Sequence, residues 1–202
     1  MINTENISGF VLTGGKSSRM GVEKGLMLFD GKSLVQRALE TLSVVADEVF
    51  ISANNPDYNQ FSKPVIPDIV QGIGPMGGIY SCLVQSATDY NIFLSCDTPF
   101  VLSDLLLYLM REIDGHICVV PVHDDEKVEP LCGIYSKKCA DAFSEFIRKG
   151  NYKMMDVLKA VDYHPVRVDE SLPFYNPHLF FNINTPTDCT RAMQYLPDNS
   201  SK

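Results

Sequence analysis

The 202-residue chain has 17 basic and 25 acidic side chains, a formal net charge of −8, with 45% hydrophobic and 21% charged residues. That size and composition suit a single domain spanning 1–202, with a core at 7–196 and a polar tail at 197–202, and argue against intrinsic disorder. There is no run of about 18 apolar residues and no basic, apolar leader, so neither a membrane span nor a secretory signal is expected and the chain reads as cytoplasmic.

The acidic balance argues against a broad surface for nucleic acid or anionic lipid. A small anionic ligand needs only a local cluster, and Lys16, Arg19, Lys24 and Lys32 supply one, diluted by Glu23 and Asp30. The six cysteines show no CxxC pair and read as reduced core thiols rather than a zinc site or disulfide framework.

In chain order, the apolar run Gly9-Phe10-Val11-Leu12 reads as a buried strand stopping at Gly14-Gly15. Leu34, Val35, Ala38, Leu39 and Leu42 have helical spacing behind an N-cap at Ser33, and residues 48–52 read as the next strand, which completes a βαβ unit. A short extended piece at 64–68 and the glycine-rich stretch 71–78 precede a helix expected at 79–86. Residues 91–95 are the most strand-like run, followed by a helix capped at Ser103. Further strands are expected at 117–120 and 129–135, separated by the acidic turn His123-Asp124-Asp125-Glu126. Helices at 140–148 and 154–160, a strand at 163–168 and a strand at 180–183 follow. Thr185-Pro186-Thr187-Asp188 supplies an N-cap, a proline at N1 and an acidic N3 for a last helix ending near Tyr195. This alternation predicts an α/β fold with a mostly parallel central sheet and helices on both faces.

In such a sheet a ligand lies beyond the carboxyl ends of the strands. Residues 12–21 after the first strand either cradle anionic phosphates through backbone N–H groups or form a solvated glycine turn; they lack GxGxxG and the Gly-Lys-Ser/Thr ending of a P-loop. Asp97, at the end of the strongest strand, either holds a divalent ion such as Mg2+ or caps the approach to Pro99. Asp68 is a weaker carboxylate of the same kind, and the loop at 72–78 either packs against a base or ribose or is a turn. Asn182 and Asn184 are two apart and, on a strand, would present both amides to one polar ligand; Asx turns are the alternative. The four histidines suggest neither a metal box nor a triad.

Leu12-Thr13-Gly14-Gly15-x3-Arg19-Met20-Gly21, then Glu23-Lys24-Gly25-Leu26, resembles the signature of the molybdenum cofactor guanylyltransferases, part of a wider group of nucleotidyltransferases with a Rossmann-like fold similar to the nucleotide-diphospho-sugar transferases. The resemblance continues in order through Ser52-Ala53-Asn54, Pro67-Asp68, Gly74-Pro75-Met76-Gly77-Gly78, Cys96-Asp97-Thr98-Pro99 and Asn182-Ile183-Asn184-Thr185-Pro186. Two positions depart from it: the usual DKG is Glu23-Lys24-Gly25, and the first Asn of Asn-Ala-Asn is Ser52.

The resemblance implies transfer of GMP from GTP to the terminal phosphate of molybdopterin, with release of pyrophosphate. It implies Leu12, Thr13, Gly14 and Gly15 on the nucleotide, Arg19 and Lys24 on the phosphates, Asp97 on Mg2+, Asn54 and Asp68 toward guanosine, Gly74, Gly77 and Gly78 on the base side, and Asn182 and Asn184 toward the pterin. Gly14-Gly15 favours guanine, since cytidylyl relatives tend to carry Ala-Gly there. Rival expectations are a molybdopterin cytidylyltransferase, a sugar- or alditol-phosphate nucleotidyltransferase, and a nucleotide-binding carrier without turnover. A monomer is expected, with molybdenum insertion proteins, apo-molybdoenzymes or their chaperones as candidate partners.

Overall fold

The computed structural model describes residues 7–14, 23–124 and 126–196. Its main sheet has the order β10-β7-β9-β6-β1-β4-β5, and a short β8 pairs with β7. The strands are β1 (Ile7–Leu12), β4 (Glu48–Ser52), β5 (Val65–Ile66), β6 (Tyr90–Ser95), β7 (Cys118–His123), β8 (Lys127–Val128), β9 (Cys132–Ser136) and β10 (His164–Arg167). A separate hairpin joins β2 (Leu28–Phe29) to β3 (Lys32–Ser33). β1 is parallel to both β4 and β6, and β4 to β5. β9 runs antiparallel to β6 and β7, so along the main path it alone is reversed and the sheet is mostly parallel, as expected.

Alternation along the strands sorts the core into two faces. Ile7, Val11, Ile92, Leu94, Val119 and Ile134 face one way, packed with α1 (Leu34–Leu42), α3 (Ser103–Arg111) and α6 (Pro186–Met193). Phe10, Leu12, Phe93, Cys118, Val120 and Tyr135 face the other, packed with α2 (Pro75–Gln85), α4 (Cys139–Arg148) and α5 (Met154–Ala160). Strands with both sides buried explain why the sequence shows continuous apolar runs rather than alternation.

Several local expectations hold. The Ser33 hydroxyl caps α1 by accepting from the Gln36 N–H, and all five stripe residues of that helix are buried. Thr185 and Asp188 form the capping box of α6, with Pro186 at its first turn. No helix among the described residues is long and apolar enough to cross a membrane. Cys82, Cys96, Cys118, Cys132 and Cys139 are buried free thiols, and Cys189 is half-buried.

Other expectations need correction. Residues 180–183 form no strand. Their backbone donors go to turns and to the loop after β6, with Phe181 N–H bonded to His178 O and Ile183 N–H to Asp97 O, while Phe180 stacks on His123 at 4.4 Å. The apolar character of that run reflects burial without pairing. Asn182 and Asn184 therefore do not share a strand face. The Asn182 amide donates to its own segment at Phe180 O, while the Asn184 side chain goes to Lys24.

α2 starts at Pro75, four residues before the expected boundary, because proline suits the first helical turn and the Gly77-Gly78 pair is accommodated there. Ser103 is the first residue of α3 rather than its cap; Leu102 occupies the cap position with no side-chain bond. The stretch 129–135 divides into a turn closed by Cys132 N–H to Glu129 O and the shorter β9. Lys32, expected in the cationic cluster, pairs with Glu40 on α1 at 2.7 Å. The expected tail at 197–202 lies outside the described residues.

Candidate active site

Because β1, β4, β5 and β6 are parallel, their carboxyl ends deliver Thr13-Gly14, Ser52-Ala53-Asn54, Asp68 and Asp97 to one edge of the sheet. Hydrogen bonds past the strand ends fix these segments to one another. Thr13 N–H and its hydroxyl both donate to Ser52 O, at 3.2 and 2.8 Å. Cys96 N–H donates to Leu12 O at 3.0 Å, and Ala53 N–H to Ile66 O at 3.1 Å. An added Cβ at Gly14 would meet nothing within 4 Å among the described residues.

On one flank, Asn54 and Asp68 close a reciprocal pair: the Asn54 amide donates to Asp68 Oδ2 and the Asp68 N–H donates to Asn54 Oδ1, each at 2.9 Å. Burial pushes the Asp68 carboxyl above its ordinary range, and the Asn54 hydrogen bond opposes that shift. The carboxylate lies over the first turn of α2, where Cβ atoms added at Gly77 and Gly78 would sit 3.5 and 3.6 Å from its oxygens. Each glycine here has its own cause. Gly74 has φ +71° and ψ −154°, a conformation essentially reserved for glycine. A Cβ on Gly77 would lie 2.6 Å from Val70 O, and one on Gly78 2.7 Å from Ser52 Oγ. The 72–78 loop thus leads into a helix N-terminus seated close against β4 and the Asp68 turn.

On the other flank Lys24, carried by a short 3-10 helix (Lys24–Leu26), reaches into the strand ends. Its Nζ donates to Asp97 Oδ2 and to Asn184 Oδ1, the latter at 2.6 Å. Ser95 Oγ donates to Asp97 Oδ1 at 2.6 Å. The Lys24 side chain is 9% exposed and that of Asp97 15%, so this charge pair borders solvent but is largely dry. Ile183 N–H to Asp97 O, at 2.8 Å, brings the Asn184 segment alongside.

The structure thus gathers Thr13, Gly14, Ser52, Asn54, Asp68, Gly77 and Gly78 with Leu12 at one flank, and Lys24, Asp97 and Asn184 at the other, joined through β1. Gly15, Lys16 and Arg19 lie outside the described residues. Sequence reasoning passed over Ser95, although its spacing two before Asp97 places it to orient that carboxylate. It also passed over Tyr58 and His123. His123 is buried between Asp124 and Glu129, at 3.0 and 2.9 Å, and supports the 176–184 segment through Phe180. Among the described residues no three His, Cys, Asp or Glu side chains converge as a metal cage.

A mostly parallel α/β sheet, with a glycine turn, a lysine and the carboxylates of Asp68 and Asp97 at its carboxyl edge, defines a nucleotidyltransferase-type domain. The comparisons fix the family: residues 9–166 match the MobA-like NTP transferase domain, and the chain belongs to that family of nucleotidyltransferases. A Flavobacterium johnsoniae protein named "Probable molybdenum cofactor guanylyltransferase" is 34% identical over 85% of this chain and 90% of its own length. The molybdenum cofactor guanylyltransferase of Vibrio vulnificus is 31% identical over 96% and 98% of the two chains. Among solved structures, molybdopterin-guanine dinucleotide biosynthesis protein A of Archaeoglobus fulgidus superposes with a TM-score of 0.77 at 28% identity, covering 93% of this chain and 97% of its own.

Proposed function

We propose that the protein transfers GMP from GTP to the terminal phosphate of molybdopterin, forming the guanine dinucleotide cofactor and pyrophosphate. The observation that carries this reading is the convergence of Lys24, Asp97 and Asn184 beside the Thr13-Gly14 turn, in a chain that is similar over nearly its whole length to molybdenum cofactor guanylyltransferases.

In the reaction a phosphate oxygen of molybdopterin forms a bond to the α-phosphorus of GTP, and the bond from that phosphorus to the α,β-bridging oxygen breaks, releasing pyrophosphate. The attacking oxygen is already anionic and the leaving group is stable, so no general base or acid is required. What the protein must supply is alignment and neutralisation of like charges. Lys24 faces the triphosphate and offsets charge that builds on the leaving pyrophosphate, with Arg19 assigned to the same task. Leu12, Thr13, Gly14 and Gly15 hold the nucleotide along the end of β1. Asn54 and Asp68 orient the guanosine beside Gly74, Gly77 and Gly78. Asn182 and Asn184 meet the acceptor side.

Asp97 suits Mg2+, which typically uses one or two protein carboxylates and takes its remaining ligands from water and substrate phosphates. Ser95 presets the carboxylate and Lys24 compensates it in the free protein. When bound, the ion supplies charge neutralisation across the phosphates. Lys24 exchanges its Asp97 partner for phosphate oxygens as substrate enters.

The test is pyrophosphate release with molybdopterin and each of GTP, CTP, ATP and UTP, with and without Mg2+. Release with GTP and Mg2+ alone supports the proposal. Release with CTP alone points to a cytidylyltransferase, and no release with any of the four points to a carrier.

A further inference from the structure

Tyr58 is among the largest fully buried side chains, yet it lies on a six-residue 3-10 helix (Pro56–Phe61) in a connection between β4 and β5. That helix is firmly begun: Asn55 caps it by accepting from Asp57 N–H, and Pro56 occupies its first turn. Its only buried residue is Tyr58. The phenol does not end in apolar packing. Its hydroxyl donates to Glu23 Oε2 at 3.2 Å, with the Thr13 side chain close by, its own hydroxyl proton given to Ser52 O. On a third side it presses on the backbone of Gly25, where an added Cβ would lie 2.6 Å from Oη, 3.1 Å from Cε1 and 3.2 Å from Cζ. Burial pushes the phenol far above its ordinary range, so it stays protonated and remains a hydrogen-bond donor.

These contacts fall on both sides of Lys24. Glu23 is bonded to the hydroxyl, Gly25 lies against the ring edge, and the lysine between them extends to Asp97 and Asn184. We infer that Tyr58 is a positioning residue for Lys24: its hydroxyl clamps the Glu23-Lys24-Gly25 turn to the 3-10 helix between β4 and β5 and so sets where the ammonium meets the triphosphate. The inference rests on the proposed role of Lys24 at the phosphates. It accounts for two features of the turn at once. Position 25 must lack a side chain because the phenol occupies its place, and position 23 must carry an acceptor long enough to reach the hydroxyl.

Three variants test it: Tyr58→Phe, Gly25→Ala and the double variant. Two readouts apply, the rate of Lys24 amine modification in the substrate-free protein, followed by peptide mass analysis, and kcat for pyrophosphate release. Tyr58→Phe keeps the ring and deletes only the clamp. It is expected to speed Lys24 modification about fivefold and to lower kcat about tenfold with a smaller change in the KM for GTP, since misplacement harms the transition state most. Gly25→Ala is expected to do both more strongly. In the double variant, loss of Oη removes the closest clash and leaves carbons at 3.1 and 3.2 Å, so it should be less impaired than Gly25→Ala alone.

Deleting the hydroxyl would thus be harmful in one background and helpful in the other, which a merely structural residue with additive effects does not produce. Unchanged Lys24 modification in Tyr58→Phe, or strict additivity of the pair, overturns the inference. The modification rate is measured without substrate, so it decides the clamp even if the wild-type protein releases no pyrophosphate, an outcome that would instead count against the guanylyltransferase reading.

Discussion

Asp97→Ala tests whether the Lys24–Asp97 pair serves catalysis at a cost the fold can carry. Removing one partner of a fully buried ion pair typically costs about 3–5 kcal/mol, because the other charge is left desolvated and uncompensated. Here 15% of the Asp97 side chain reaches solvent, and Asn184 Oδ1 still accepts from Lys24 Nζ at 2.6 Å. Those two features reduce the expected loss to about 2 kcal/mol. In a chain of this size that corresponds to a fall in Tm of about 4–8 °C, within a total stability of about 5–15 kcal/mol, so the variant folds. Lys24→Met leaves the carboxylate with its Ser95 hydrogen bond and with water, and should cost less. The double variant Lys24→Met/Asp97→Ala strands no charge and should recover most of the Asp97→Ala loss, giving a coupling of at least about 1 kcal/mol. All three should lose turnover by about a hundredfold or more, because none restores the charges needed at the phosphates. Urea or thermal unfolding gives the stabilities and pyrophosphate release gives the activities. Additive stabilities with a neutral Asp97→Ala would refute the reasoning, as would near-wild-type turnover in any of the three.

Gly77→Ala places a methyl 2.6 Å from the Val70 carbonyl, a backbone atom that cannot rotate away, and is expected to cost about 1–3 kcal/mol and to weaken GTP binding; calorimetry finding neither change would contradict the seating of α2 against the Asp68 turn. Asp68 has a carboxyl raised by burial, so its contribution to stability is fully present below the ordinary aspartate range and is lost as pH rises through the higher folded-state value. Asp68→Asn should therefore be at least as stable as wild type at neutral pH, with any advantage fading on acidification while GTP affinity falls; Tm curves from pH 3 to 8 showing the opposite trend would remove burial as the dominant cause. Burial pushes the Cys82 and Cys96 thiols up to about 12, whereas Cys189 is half-buried, so alkylation of the native protein at pH 8 should mark Cys189 first. Early labelling of Cys82 or Cys96 would show that α2 or the end of β6 opens far more readily than its packing implies.

Much of the fold was legible because local signals and burial agree. The stripe from Leu34 to Leu42, the Ser33 cap and the Thr185–Asp188 box each name a boundary through a side chain that makes the expected hydrogen bond. At 180–183, where an apolar run was again the only signal, the reading failed, although the same signal served for β1, β6 and β7. Phe180 and Ile183 are buried, against His123 and the Asp97 loop, without a strand partner, and hydrophobicity alone does not separate those outcomes. The direction of β9 is set by its neighbours in the sheet, which its own residues do not announce, and the two-residue strands β2 and β3 are too short to show a period.

Within the site, residues that follow parallel strands were found from order alone, since the topology sends every carboxyl end to the same edge. The union of Lys24, Asp97 and Asn184 spans 160 positions of sequence between its outer members and has no local signature. Tyr58 was hidden for another reason: its turn looks like an ordinary Asn-Pro-Asp connection, and only burial reveals that its phenol points back at the glycine turn.

The most direct test of the account follows the two ends of one nucleotide. With molybdopterin, Mg2+ and GTP radiolabelled at either the α- or the γ-phosphate, the account predicts α-label in a dinucleotide product of molybdopterin plus GMP and γ-label in pyrophosphate, in equal amounts. Label from the α-position remaining in GTP or appearing only as free GMP or GDP would contradict it.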